Sequence, residues 1–331
     1  MITGEPAEKG FPLQHRTKKQ LPAVFVLTPD AEEYLPLLDV LARDGAELTA
    51  AASLSTARAA YSGQPVVLGQ PDLVAAALGG WLEVRWVQSS WAGVTPLLNC
   101  GRRDFLLTGV KDVFGPEMAE YVIGYLLAHE LKIFERLGRQ ASRSWWPEPS
   151  GTLRGKTVGI MGTGSIGASI ALALAPFGAR VTGLSRTGAP AGGFERVFAA
   201  DRLDDFLAEP DYIVSVLPDT PDTRHLLGAE AFRRMNNHCL LLNAGRGTVV
   251  DEEALVRALH AGELAGAVLD VFQQEPLPSG HSLWNAPGAI VTGHVAARSR
   301  PREIAAIFIE NYRRYGSGTA LRYRVDFDQG Y

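Results

Sequence analysis

The chain has 331 residues, of which 46% are hydrophobic and 21% charged, and its formal net charge is -4. This length is sufficient for two domains with full cores, and the composition excludes a disordered or collagen-like chain. The small acidic excess gives no reason to expect a nucleic-acid-binding surface.

The N-terminus and the cysteines predict a cytoplasmic protein. Residues 1–20 are polar and lack the apolar core of a signal peptide, so we expect a flexible tail. No apolar run approaches the roughly 18 residues needed to cross a bilayer. Cys100 and Cys239 lie far apart without the spacing of metal ligands, which predicts neither a disulfide framework nor a metal site.

Short apolar runs alternate with helical stretches after residue 20, which indicates a parallel sheet covered by helices on both faces. The predicted strands are Ala23–Thr28, Val66–Gly69, Val84–Gln88 and Phe105–Leu107, and the predicted helices are Ala31–Arg43 and Pro71–Leu78.

Trp91, Ala92 and Gly93 follow the predicted strand Val84–Gln88, at the edge where ligands of such sheets bind. We predict that the Ala92 and Gly93 amides donate hydrogen bonds to a substrate carboxylate, with Trp91 as a wall of the pocket. A plain turn with Trp91 in the core fits the local sequence equally well.

Two further stretches predict how the chain is divided. Pro116–Arg139 has helical spacing of apolar side chains and predicts one long helix that connects two domains across a cleft. The amphipathic stretch Arg302–Tyr315 predicts a helix that returns to the first domain. The predicted substrate domain is residues 21–115 plus 299–331, and the predicted dinucleotide-binding domain is residues 116–298.

A glycine-rich turn, Gly162-Thr163-Gly164-Ser165-Ile166-Gly167, lies between the predicted strand Lys156–Met161 and the helical run Ala168–Leu174. Its glycines permit a tight turn, close approach of the backbone to a pyrophosphate, and close packing of helix on strand. The positive end of the helix then faces the anion. All six residues are therefore predicted to bind a dinucleotide; a corner without a ligand and a methyl-donor site are the alternatives.

The residues after the next strand indicate which coenzyme is preferred. In an NAD site, that strand ends in an acidic residue about 20 positions after the turn, which binds the ribose 2′-hydroxyl. Here Arg180–Leu184 is followed by Ser185, Arg186 and Thr187, with no acid before Glu195. A guanidinium and hydroxyls suit a 2′-phosphate, so we predict NADP(H) as the preferred coenzyme, with NAD(H) possible. An ordinary surface arginine is the alternative for Arg186.

Arg246 ends the apolar run Leu240–Leu242 and lies between Gly245 and Gly247. A charged side chain at the carboxyl end of such a strand points into the crevice between domains. Its guanidinium is predicted to bind a substrate carboxylate and the adjacent carbonyl oxygen through its planar fork. A structural salt bridge is the alternative.

Three more polar residues follow later apolar strands. Asp270 and Glu275 follow the run Gly266–Leu269, and His294 ends the run Ala289–Gly293. Asp270 is predicted to meet the nicotinamide carboxamide or ribose, although a turn-capping role fits as well. An isolated histidine of this kind is more often a core residue, but Glu275 beside it would orient the ring and favour its protonated form. Together they predict that His294 exchanges a proton with a carbonyl oxygen while hydride reaches the carbon.

These motifs, in this order, resemble the D-isomer-specific 2-hydroxyacid dehydrogenase family. The resemblance rests on Gly162–Gly167, residues 243–247, 249–252 and 269–272, Glu275-Pro276-Leu277 and residues 293–296. Within the family, residues 86–94 and 114–121 are similar to the NADPH-linked glyoxylate/hydroxypyruvate reductase A branch. One departure is Gly293, where many members have a proline before the histidine.

The resemblance implies an α/β homodimer with two doubly wound parallel-sheet domains, a flavodoxin-like substrate domain and a Rossmann-like NAD(P)-binding domain, with the active site in the cleft. It implies that Arg246 binds the substrate, that Glu275 orients the acid/base His294, and that Arg298 lines the substrate site. The expected reaction is reduction of a small 2-oxoacid. A dinucleotide-sensing interaction protein of the corepressor type is the alternative, and formate or phosphite oxidation is a lesser one.

Overall fold

The first of two parallel sheets has five strands in the order β2-β1-β3-β4-β5. A computed structural model describes residues 21–328 and 330, so the predicted tail at residues 1–20 lies outside the described residues. The strands are β1 (Val24–Leu27), β2 (Leu48–Ala51), β3 (Val66–Gly69), β4 (Trp86–Ser89) and β5 (Leu106–Thr108), with helices α1 (Ala31–Arg43), α2 (Leu54–Ala60), α3 (Pro71–Leu78) and α4 (Thr95–Leu98). This strand order is that of flavodoxin-like sheets and confirms the fold predicted for the first domain.

Both faces of this sheet are buried, because successive residues of a strand point to opposite sides. In β1, Val24 and Val26 enter one hydrophobic cluster, whereas Phe25 and Leu27 enter another on the opposite face. The four predicted strands agree with the structure to within about two residues. The edge strand β2 was not predicted, since its sequence Leu-Thr-Ala-Ala has little β-branched character and is only partly buried.

The stretch predicted as one long helix forms two, α5 (Gly115–Glu130) and α6 (Ile133–Ala141), so the single-helix prediction was wrong. The break lies at Lys132, whose φ of 52° is in the left-handed region and interrupts the helical path. Neither glycine nor proline marks this position, and the spacing of apolar residues continues through it.

The second sheet has seven parallel strands in the order β12-β11-β10-β9-β6-β7-β8. The strands are β6 (Thr157–Met161), β7 (Arg180–Ser185), β8 (Arg196–Ala199), β9 (Tyr212–Ser215), β10 (Leu240–Asn243), β11 (Gly266–Leu269) and β12 (Ala289–Val291). Its helices are α7 (Ser165–Leu174), α8 (Leu203–Leu207), α9 (Ala229–Arg234) and α10 (Glu252–Ala261). The order is that of a Rossmann sheet with one added strand, and the switch point lies between β6 and β9.

The last helix, α11 (Pro301–Ser317), returns to the first sheet. It packs against α1, and Phe308 stacks on Trp86 of β4 with ring centroids 5.3 Å apart. The chain therefore crosses between the two sheets twice, although the domain boundaries given above remain a prediction. Over residues 21–328 and 330, no helix combines the length and the apolar character required to span a bilayer.

Candidate active site

The glycine-rich turn joins β6 to α7 beside the switch point. Gly162 has a φ of 103°, which disfavours any residue with a side chain. A Cβ at Gly167 would lie 1.9 Å from the Gly162 carbonyl oxygen, so only glycine permits this contact between helix and turn. A Cβ at Gly164 would meet nothing within 4 Å, which leaves open space above the turn. The predicted roles of Gly162 and Gly167 in shaping the turn therefore agree with the backbone.

The amide groups of the turn fit an anion. Within the described residues, the Gly164, Ser165 and Ile166 amides have no protein acceptor, as expected for the first turn of a helix. These donors lie at the positive end of the ten-residue helix α7, where a pyrophosphate is stabilised. The turn thus has both the space and the donors that a dinucleotide requires.

Ser185, Arg186 and Thr187 lie next to this turn, because β7 pairs with β6 and the Gly162 amide donates to the Leu184 carbonyl. Arg186 and Thr187 are exposed. The Ser185 hydroxyl accepts a hydrogen bond of 3.1 Å from the Gly188 amide, which bends the chain directly after the strand. All three residues are therefore accessible beside the turn, and contact with a 2′-phosphate remains a prediction.

Arg246 follows β10 at the carboxyl edge of the second sheet and is partly buried. Its Nη1 donates to the Gly245 carbonyl at 2.6 Å. Among the residues that the structure describes, no carboxylate lies within 4.0 Å of its guanidinium, which argues against a structural salt bridge. Burial lowers the pKa of Arg246, and the charges of Glu275 and Asp219 oppose that shift.

The Trp91–Gly93 loop of the first domain reaches Arg246 of the second. A Cβ at Gly93 would lie 2.6 Å from Arg246 Nη2, so a larger residue here would displace the guanidinium. Trp91 is 41% exposed, which argues against its burial in the core. The Ala92 and Gly93 amides donate to no acceptor in the described part of the chain, and both remain available to a ligand. Free donors from one domain therefore lie beside a guanidinium from the other.

Glu275 and His294 form a hydrogen-bonded pair. His294 Nδ1 lies 2.8 Å from Glu275 Oε2, and the other carboxylate oxygen accepts from the Phe272 amide at 2.9 Å. The Glu275 partner fixes Nδ1 as the donor and leaves Nε2 for another molecule. The imidazole is 53% exposed and therefore accessible. Gly247, next to Arg246, packs on the backbone of Phe272, so the segment that carries Arg246 contacts the loop that leads to Glu275.

Asp270 is almost fully buried, and its carboxylate organises the loop that carries His294. Oδ1 accepts from the Thr292 hydroxyl at 2.6 Å and from the Val295 amide at 2.9 Å, and Oδ2 accepts from the Ala296 amide at 2.9 Å. The His294 amide donates to the Asp270 carbonyl at 2.8 Å. These bonds match the turn-capping alternative, while the predicted contact of Asp270 with the coenzyme remains a prediction.

Arg298 is exposed, and its amide donates to Glu117 Oε2 at 2.7 Å. Its guanidinium forms no ion pair with a described residue, and its predicted substrate contact remains a prediction. The sequence reasoning missed Glu117, Tyr121 and Thr292, which support the His294 loop. The spacing of Glu117 and Tyr121 on one helix face was a signal for these two residues, whereas Thr292 had no comparable signal.

The fold and this site define an NAD(P)-dependent oxidoreductase. A hydrogen-bonded glutamate–histidine pair and a guanidinium that has no carboxylate partner among the described residues lie at the same sheet edge as a turn suited to a pyrophosphate. The sequence profile for the NAD-binding domain of D-isomer-specific 2-hydroxyacid dehydrogenases matches residues 123–296. The chain belongs to the D-isomer-specific 2-hydroxyacid dehydrogenase family.

Known proteins agree with this assignment over most of the chain. A glyoxylate/hydroxypyruvate reductase A from Yersinia enterocolitica is 31% identical over 262 residues, which cover 77% of this chain and 84% of that protein. A crystal structure of a family member from Aeromonas salmonicida is 38% identical, with a TM-score of 0.88, covering 94% of this chain and 100% of that one. The NADPH-dependent glyoxylate/hydroxypyruvate reductase from Sinorhizobium meliloti, solved with NADP and sulfate, is 29% identical with a TM-score of 0.83 over the same shares.

Proposed function

We propose that this protein uses NADPH to reduce a small 2-oxoacid, of the glyoxylate or hydroxypyruvate type, to the D-2-hydroxyacid. One observation carries the proposal: Arg246, which has no carboxylate partner within 4.0 Å among the described residues, follows a strand at the same carboxyl edge as the Glu275–His294 pair and is close enough to Glu275 for that charge to oppose the lowering of its pKa by burial. An unpaired guanidinium suits a carboxylate, and the imidazole suits proton transfer to the neighbouring carbonyl oxygen.

In this proposal, some residues of the chain bind the substrate and others transfer the proton. Bound NADPH supplies hydride to the carbonyl carbon. Arg246 binds the substrate carboxylate and stabilises the negative charge that develops on the carbonyl oxygen. The Ala92 and Gly93 amides hold the same carboxylate from the opposite domain. His294, as imidazolium, donates the proton on Nε2 to that oxygen, and Glu275 holds the ring through Nδ1 and stabilises its positive charge.

A steady-state assay tests this function. NADPH oxidation is followed spectrophotometrically with glyoxylate, hydroxypyruvate, pyruvate and larger 2-oxoacids, and each rate is compared with the rate obtained with NADH. Turnover that is fastest with a small 2-oxoacid and NADPH supports the proposal. Tight NADPH binding with negligible turnover on every substrate would instead favour a dinucleotide sensor.

The coenzyme preference is assigned to Ser185, Arg186 and Thr187. The relative from Sinorhizobium meliloti is NADPH-dependent, which agrees with the absence of an acidic residue between the end of β7 and Glu195. Arg186→Ala is expected to raise the KM for NADPH by about tenfold and to leave the KM for NADH unchanged, because a charge-assisted hydrogen bond contributes roughly 1.5–3 kcal/mol. Parallel titrations with both coenzymes check this. Equal changes for both would contradict a role at the 2′-phosphate.

We propose that the protein is a homodimer that buries the apolar surface of α6. This surface consists of Ile133, Phe134 and Leu137, which are 39%, 48% and 56% exposed, and Trp145, which follows α6 in the chain, is 92% exposed. A contiguous set of exposed apolar side chains is typical of a protein–protein interface, and a two-fold dimer buries the same surface on both copies. The proposal also follows from the dimer that the family resemblance implies.

Leu137→Glu is expected to shift the protein from dimer to monomer at micromolar concentration, because it places a charge in the buried apolar surface. Sedimentation velocity measures the change. Leu82→Glu is the matched control, since Leu82 is 64% exposed in the first domain, away from α6. A wild-type monomer, or a dimer unaffected by Leu137→Glu, would contradict this interface.

A further inference from the structure

Helix α5 contacts the segment that carries His294 at two points. The Thr292 hydroxyl donates its proton to Asp270 Oδ1, so the Tyr121 hydroxyl, 2.7 Å from Thr292 Oγ1, is the donor in that contact. Beyond His294, Glu117 Oε2 accepts from the Arg298 amide at 2.7 Å, and Glu117 Oε1 forms an ion pair with Arg300. One helix therefore holds the segment on both sides of the histidine.

Glu117 and Tyr121 lie on one face of α5, and the start of α5 packs against α7. Glu117 and Tyr121 are four residues apart, so they are neighbours on the surface of α5. At the start of α5, a Cβ at Gly115 would lie 2.2 Å from Ser169 Oγ of α7. This contact fixes α5 against the helix whose N-terminus faces the predicted pyrophosphate. The position of the His294 segment is thereby coupled to the position of α7.

His294 needs such support because its backbone is in an unfavourable region. Its φ is 56°, where a residue other than glycine is retained only if its surroundings hold it. Burial raises the pKa of Tyr121, so its phenol remains protonated as a donor. The Arg298 amide and Arg300 lower the pKa of Glu117, so it remains a carboxylate.

We propose that Tyr121 and Glu117 are positioning residues for His294, which keep its imidazole where the substrate carbonyl oxygen is protonated. The inference rests on the proposed function, and neither side chain has to touch substrate or coenzyme. Small displacements of a proton donor reduce the rate of a step without changing the affinity for substrate.

Tyr121→Phe tests this role, with Tyr125→Phe as the matched control. Tyr125 lies one turn further along α5, its ring contacts that of Tyr121, and its hydroxyl forms no hydrogen bond to a described residue. Tyr121→Phe is expected to lower kcat by about tenfold, the effect of losing one hydrogen bond, with unchanged KM for the 2-oxoacid and unchanged Kd for NADPH. Glu117→Gln is expected to lower kcat in the same way, and the double variant to lower it further.

Two measurements separate positioning from general stability. In a double-mutant cycle, Tyr121→Phe is expected to have little further effect on kcat in a Thr292→Val background, because both remove the same hydrogen bond. Without substrate, hydrogen–deuterium exchange of residues 292–300 is expected to be faster in Tyr121→Phe than in Tyr125→Phe.

The outcomes distinguish this inference from the proposed function. The positioning role would be overturned if hydrogen–deuterium exchange of residues 292–300 were unchanged in Tyr121→Phe, or if it were faster while kcat stayed the same. A higher KM at constant kcat would also overturn it. Absence of turnover in the unmodified protein would overturn the proposed function. The exchange comparison would then still decide whether α5 holds this segment.

Discussion

His294→Asn is expected to lower kcat for 2-oxoacid reduction by about 10²- to 10⁴-fold, the usual contribution of a positioned general acid. Asparagine suits this test because it tolerates the left-handed backbone that His294 adopts, with a φ of 56°. The variant therefore removes the proton donor and keeps the local backbone. Stopped-flow and steady-state rates measure the loss, and NADPH titration checks that coenzyme binding is retained.

His225→Asn is the matched control for this variant. His225 is also an exposed histidine with a left-handed backbone, at a φ of 52°; its amide donates to the Thr248 carbonyl, a bond that asparagine keeps, and its side chain has no hydrogen bond to a described residue. It is expected to leave kcat within about twofold, as surface substitutions usually do. A His294→Asn protein that retains most of its activity would eliminate the histidine as the proton donor.

The two directions of the reaction are expected to depend on pH in opposite ways. In the proposed mechanism, reduction uses a proton donated by the His294 imidazolium, so its rate should fall as pH rises. Oxidation of the 2-hydroxyacid requires the neutral ring, so its rate should rise over the same range. Both dependences should be lost in His294→Asn, and parallel slopes in the wild-type protein would argue against this mechanism.

Arg246→Ala is expected to lower kcat/KM for 2-oxoacids by about 10²- to 10³-fold, the effect of removing one donor to a developing oxyanion. Both kcat and KM should change, because the guanidinium is expected to bind the carboxylate in the ground state and the carbonyl oxygen in the transition state. Steady-state kinetics with the preferred 2-oxoacid gives both parameters.

Added guanidinium provides the control for Arg246→Ala. In the wild-type protein the Arg246 guanidinium lies against Gly93, so close that a Cβ built on Gly93 would be 2.6 Å from Nη2. Arg246→Ala therefore leaves an empty space beside Gly93. Free guanidinium should enter this space and restore part of the activity of Arg246→Ala, whereas ammonium, which lacks the planar fork, should restore less. Failure of any cation to restore activity, together with a lower thermal unfolding midpoint, would indicate a structural role for the arginine.

Much of the fold could be predicted because its signals are local. Strands buried on both faces appear as apolar runs, and the glycines at 162 and 167 are required by the backbone path that the turn takes. The strands β8 and β9 were not predicted, although β9 lies at the switch point. The break between α5 and α6 was also missed, because a left-handed lysine carries no signal in the sequence.

The sequence indicates candidate site residues where a polar residue interrupts an apolar run, as Arg246 and His294 do, and their roles remain a prediction. Residues that act through long-range contacts were not indicated in this way. Tyr121 and Thr292 are separated by 171 positions, and Glu117 and Arg298 by 181, so no local pattern connects them. For Asp270, the sequence indicated a coenzyme contact or a cap, and only the folded structure shows that both of its carboxylate oxygens accept hydrogen bonds from the His294 loop.

Arg246, Glu275 and His294 all follow strands of one sheet, whereas the Trp91–Gly93 loop follows a strand of the other. With the proposed roles, a few substitutions in that loop should change which acid is preferred and leave proton and hydride transfer unchanged. A chimaera that receives the corresponding loop of a relative should thus acquire a different acid as its preferred reactant and retain its coenzyme.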